Sequence, residues 1–204
     1  RAFDLRGGGP YHARAMGNPL RERRSAAEWS AGYQVIEIAE KISNFEQLAG
    51  IIEADLAALD ADKIPATWRD AVVVGQLEFG YADAQRTLPT VSCRVRVTVD
   101  AVCQRCLEAF QLPLETEAEL LLLALEQGAD GYDDYEVWEL EETLLQPQDI
   151  VEEMLIMALP FSAMHTESTA CKALAPETAA GDEKMTTPFA ALREQMAQDN
   201  EGSA

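Results

Sequence analysis

The sequence predicts an α+β fold, an antiparallel β-sheet in meander order packed by two main helices, with flexible N- and C-terminal tails. Three observations lead there. Val91 to Asp100 alternates, apolar at odd positions and polar at even ones, as a strand with one buried face does. Further apolar runs follow at short spacing, which favours consecutive antiparallel pairing. Phe45, Leu48, Ile52, Leu56 and Leu59 recur at helical spacing and give one apolar stripe.

Along the chain, Tyr33 to Ile38 reads as a first short strand. Asn44 is placed to cap the helix carrying the Phe45 to Leu59 stripe, which ends in the polar Asp60 to Lys63 stretch before Pro65. Val72 to Phe79 is a strand and Asp83 to Pro89 a turn. The alternating strand then runs toward Cys103, and a third strand returns from Phe110 through Leu122. Glu126 to Asp134 is rich in glycine and aspartate and reads as loop, followed by a further strand, Tyr135 to Leu140. Pro147 suits the first turn of a helix, Asp149 complements its dipole, and Ile150, Val151, Met154, Leu155 and Ala158 face inward until Leu159-Pro160 ends it. The expected organisation is a disordered leader over 1–30, one α+β domain over 31–171, and a mobile acidic tail over 172–204 with a short helix near 188–197. Residues 1–15 precede the first methionine, Met16, and are set aside as candidates for non-native sequence.

No run of eighteen apolar residues and no secretory apolar region is visible, so a membrane role is not expected and the cytoplasm is the default. Net charge is −20 and unevenly spread. Residues 1–24 carry six arginines against Asp4 and Glu22, whereas Leu107 to Pro160 holds fifteen acidic residues and no lysine or arginine. Such a surface repels DNA and free nucleic acid in general, because nonspecific affinity comes from neutralising phosphates. It suits basic partners, of which ribosomal proteins are the abundant cytoplasmic kind. Direct RNA contact would need local cations, and Arg94, Arg96 and Arg105 are the candidates. The competing reading pairs these arginines with Glu115, Glu117 and Glu119 on the next strand.

Cys103-Gln104-Arg105-Cys106 stands where the alternating strand ends. Two thiols at this spacing share a metal or a disulfide. With His165 and Cys171 they make three thiolates and one imidazole, a set that suits tetrahedral zinc, although a lone His and Cys six positions apart lack knuckle spacing. Reduced, partly buried thiols are the competing reading. A thiol/disulfide redox module using Cys103 and Cys106 lacks its usual support, since no long helix follows to lower a thiol pKa and Pro113 comes soon after. Cys93, among valines, reads as a small buried hydrophobe.

Catalytic patterns are thin. His12 and His165 are the only histidines, no nucleophile motif accompanies them, and the glycines at 7–9 precede a proline rather than a phosphate-binding helix. Glu141-Glu142 and Glu152-Glu153 read as solvated, and Phe79, Phe110 and Trp138 as core rather than a base-stacking platform. An enzyme and a small-molecule substrate are therefore not expected. A general acidic scaffold for basic proteins stays open as an alternative.

Several segments in order resemble one family. They are Val102-Cys103-Gln104-Arg105-Cys106-Leu107, the acidic strand Glu136 to Leu140, the helix from Asp149 to Leu159 into Pro160, His165, Cys171, and Pro188-Phe189-Ala190-Ala191-Leu192. Over roughly residues 40–195 the chain resembles the bacterial large ribosomal RNA subunit accumulation proteins of the YceD type. The resemblance implies a non-enzymatic ribosome biogenesis factor needed for accumulation of 23S ribosomal RNA. It implies partners in the precursor large subunit, through the RNA or a basic ribosomal protein, with Phe189 and Leu192 as further candidate contacts. Some members carry extra cysteines after the Leu-Pro helix end, enough for a four-cysteine zinc site; this chain has only Cys171 there.

Overall fold

The computed structural model describes residues 17–124, 131–140, 142–165 and Cys171. Strands β1 (Val35–Lys41), β2 (Val72–Tyr81), β3 (Pro89–Val102), β4 (Ala109–Ala124) and β5 (Glu136–Leu140) form one sheet in chain order. The described helices are α1 (Ala26–Ala31), α2 (Glu46–Leu56) and α3 (Pro147–Met157). The α+β class is as expected, and β1 to β4 make the antiparallel meander.

The last strand differs. β5 runs parallel to β4, with Glu136 opposite Leu120 and Leu140 opposite Ala124, so the sheet is mixed. Eleven residues separate the two strands, 125–135, and they bring the chain back only to the level of residue 120. That return is about 13 Å at the usual rise per residue. The connection is long enough to re-enter beside β4 in the same direction, where a tight two-residue turn would have reversed it.

One sheet face is covered by helices and the other is open. On β3, Val91, Cys93, Val95, Val97 and Val99 are buried while Arg94, Arg96 and Thr98 are exposed, which is the alternation read from sequence. Leu48, Ile52 and Leu56 of α2 and Ile150, Val151 and Leu155 of α3 complete the covered core. Each such side chain contributes about 1.5–3 kcal/mol by leaving water. On the covered face Gly75 of β2 lies opposite the buried Val95. A Cβ there would collide with the Arg94 carbonyl oxygen and approach Val95 Cα to 2.8 Å, so only glycine lets β2 and β3 close at this point.

Three local expectations are corrected. The first strand begins at Val35, not Tyr33, because Tyr33 takes φ +46°, a left-handed conformation that turns the chain out of α1. Asn44 does not cap α2, since its side-chain amide donates to Glu40. Instead, Glu152 on α3 accepts from the N–H groups of Gln47 (2.6 Å) and Leu48 (3.0 Å). Glu152 is thus buried, only 7 % exposed, rather than solvated.

Residues 18–30, placed by sequence in the disordered leader, are structured. Asn18 caps a short 3-10 turn, Pro19–Arg21, and Ser25 with Glu28 forms a reciprocal capping box on α1. Trp29 is fully buried, stacks on Phe79 at 5.3 Å, and donates its indole N–H to the Leu145 carbonyl. That burial explains the order of the segment. Residues 1–16, Lys172 onward and the expected helix near 188–197 lie outside the described residues.

Candidate metal centre

The pairing of β3 with β4 ends at Val102 opposite Ala109, and the six residues between them make a tight knuckle. Two backbone bonds close it: the Cys103 N–H donates to the Glu108 carbonyl, and the Leu107 N–H to the Cys103 carbonyl. Leu107 takes φ +58°, the left-handed turn that sends the chain back into β4. A third bond, from the Gln104 N–H to the Ala163 carbonyl, fastens the segment after α3 to the knuckle. From the helix side, the Asp55 carboxylate of α2 accepts from the Val102 N–H at 2.8 Å.

These bonds bring four donors together. Cys103, Cys106, His165 and Cys171 each direct one ligand atom to a common point, with all four atoms within 4.8 Å of one another. Cys103 Sγ lies 3.4 Å from Cys171 Sγ, and Cys106 Sγ lies 3.7 Å from His165 Nε2. A tetrahedral zinc with three sulfurs and one nitrogen holds its donors about 3.4–3.8 Å apart, so the set has the right number and type of donors, and these two separations match. The sulfurs are far beyond disulfide distance and all four cysteines are free. The Phe110 ring stands 5.2 Å from the His165 ring, and His165 Nδ1 is buried with no partner among the described residues. The polar engagement of the imidazole is therefore Nε2, toward the cluster.

Electrostatics also suit a cation. Burial raises the Cys103 pKa, but backbone N–H groups of Cys106, Arg105 and His165 and the Cys171 thiol outweigh it, bringing Cys103 down to about 6. Cys171 is pushed up to about 11 by burial first, then by its bonds to Cys103 and Cys106 and by their negative charge. One sulfur is ready as a thiolate, and the next resists ionisation because thiolates this close repel. A dication removes that conflict. The low Cys103 value is also what a redox thiol requires, but Cys103 has no exposed surface from which to attack an external disulfide. Cys93, by contrast, is buried under the helices and raised to about 12 by burial alone.

The expected arginines do not converge. Arg94 and Arg96 lie on the open sheet face, and Arg94 forms an ion pair with Glu117. Arg96 stands opposite Glu115 in the register. Arg105 is on the knuckle, where its guanidinium meets the Met164 sulfur at 3.8 Å. From Arg96 to the end of β3 is six residues, about 20 Å of strand, so the three make no single patch. Phe189 and Leu192 lie outside the described residues. Sequence reasoning missed Phe110, which is half-buried against His165 rather than in the core, and Ala163 and Leu107, whose backbones shape the site. A signal existed only for Leu107, since the residue after the second cysteine of a knuckle has to turn.

Fold and cluster together define a small α+β protein with a metal-competent Cys3His set at the end of its sheet. The chain belongs to the family of the large ribosomal RNA subunit accumulation protein YceD, whose model matches residues 91–198, more than half of its length. No curated protein and no solved structure matches it.

Proposed function

We propose that this protein is a non-enzymatic, cytoplasmic factor in ribosome biogenesis that supports accumulation of 23S ribosomal RNA by binding the precursor large subunit or one of its basic proteins. The family match carries this reading, because the matched stretch contains all four cluster donors and the strand pair that presents two of them. The acid-rich stretch from Leu107 to Pro160 supports a basic protein as the nearer contact, since phosphates meet repulsion there. Arg105 on the knuckle, with Phe189 and Leu192, are the proposed further contacts.

Zinc is the metal that the donor set fits best, held by Cys103, Cys106, His165 and Cys171. Its role in this reading is structural. It supplies two positive charges that stabilise the crowded thiolates, and it ties the knuckle to the segment following α3. Protein purified without chelator is expected to carry about one zinc per chain; no zinc above background would remove the metal from the proposal.

The deciding experiment is the ratio of large- to small-subunit ribosomal RNA in cells depleted of the protein, with wild type and Cys103→Ser/Cys106→Ser supplied in parallel. A selective fall in the large-subunit RNA, restored by wild type alone, is expected. An unchanged ratio would sink the ribosomal role.

A further inference from the structure

Strand order ends at β5, so among the described residues its outer N–H and C=O groups face no further strand. Beside this edge lies a groove of about 580 Å³ between β5, the 142–145 segment and α3. Its apolar surface comes from Val137 and Leu144, each 48 % exposed, with Trp138 beneath. Its rim carries Glu139, Glu142, Asp149 and Glu153. The lining has one cation, Arg23, which already pairs with Glu142 at 3.3 Å. Burial raises the Asp149 pKa, with Glu142 adding to it against Arg23, which marks a locally negative and partly desolvated environment.

We propose that this edge docks an extended, basic segment of a partner protein, which adds a sixth strand outside β5. The proposal rests on the reading of the protein as a binder of basic ribosomal proteins and names the surface that does it. Each feature selects a different property of the occupant. The unpaired edge requires extended backbone, because only a strand satisfies a row of alternating donors and acceptors. The apolar surface accepts aliphatic side chains at alternate positions. The rim requires cations. A second copy of this chain fits poorly, since its net charge is −20 and Glu136 and Glu139 lie on the strand itself. Nucleic acid fits worse, because its phosphates would meet four carboxylates.

The test uses the full chain and a fluorescent alternating Lys-Val peptide, with two control peptides: one with alternate backbone amides N-methylated, one alternating Glu-Val. The protein variant is Glu139→Lys/Glu142→Lys/Glu153→Lys, checked for unchanged circular dichroism. The Lys-Val peptide is expected to bind. N-methylation and the triple variant are each expected to weaken it by about tenfold or more, equivalent to about 1.4 kcal/mol. Three results would overturn the site: no binding, equal binding of the N-methylated peptide, or equal binding by the variant. A dimer that the peptide dissociates would assign the edge to a second copy instead. If the triple variant fails to fold, the N-methylated peptide on wild type still decides. The ribosomal RNA ratio is read separately. A selective fall without peptide binding removes this edge and leaves the ribosomal role, whereas binding with an unchanged ratio removes the ribosomal role and keeps a basic-peptide site.

Discussion

Glu152 satisfies the first turn of α2 from a different helix. The amides of Gln47 and Leu48 point along α2 toward α3, and one carboxylate oxygen accepts both. Removing it leaves two amides without a partner in a part-buried place, so Glu152→Ala is expected to cost about 1–3 kcal/mol. Glu152→Gln, which keeps an oxygen acceptor, costs less. Denaturant midpoints of the two variants check this, and equal losses would show that packing, not the cap, is at stake. Gly75 is the second sensitive position. A methyl group there has backbone on its near side, which cannot rotate away, so Gly75→Ala is expected to cost at least about 2 kcal/mol or to prevent folding. A variant as stable as wild type would mean that β2 and β3 separate readily. Neither residue announces itself in the sequence: Glu152 is one of two adjacent glutamates near the middle of an amphipathic pattern, and its partner lies 105 positions away.

At the scale of elements, the knuckle between β3 and β4 is a hairpin connection that doubles as half of a donor set. Its pH behaviour follows from the sulfurs. Metal binding needs thiolates, so protons compete with it. Cys103 is a thiolate at neutral pH because its value lies near 6, and zinc affinity is therefore expected to fall steeply as pH drops through about 6. Cys171, near 11, keeps its proton until metal displaces it, so loading at neutral pH is expected to release that proton to solvent. Competition against a chromophoric chelator across this range, with a pH indicator for the release, measures both; a pH dependence that does not steepen below about pH 6 would remove Cys103 from the ligand set. β3 was legible because it carries the period-2 pattern of a half-buried strand, and the other strands because short apolar runs stand between turn signals. The direction of β5 was not, since a five-residue strand looks the same parallel or antiparallel and only the return path of the preceding segment decides. Likewise, Cys103 and Cys106 could be paired by spacing, whereas His165 and Cys171 reach them through the Gln104 to Ala163 backbone bond, which no spacing encodes. The capping box Ser25 to Glu28 is present in the sequence, but it stands beside a basic, polar stretch whose composition favours a solvated leader.

Across the whole molecule, the two sheet faces have different roles. The helix-covered face holds the core, and the metal-competent cluster lies outside that core at the far end of β3, anchored by Asp55 of α2. The open face carries charge of both signs, with Arg94 and Arg96 set in register against Glu117 and Glu115. Arg94 is pushed further toward its charged form, first by its hydrogen bond to Glu117 and then by that charge, with Glu78 and Glu119 adding to it. A cation so surrounded has little field left for a phosphate. The Arg94→Glu/Arg96→Glu variant therefore tests whether this face touches RNA. Both side chains are exposed and an exposed pair contributes little to stability, so the variant is expected to fold. If the large subunit is met through an acidic surface, the variant co-sediments with large-subunit particles as wild type does, and its association weakens with rising salt to the same degree. If Arg94 and Arg96 meet phosphates instead, association weakens and its salt dependence becomes shallower, since fewer counterions are released. The second outcome would move the contact from the acidic edge at β5 to the open face and make RNA, rather than a basic protein, the direct partner.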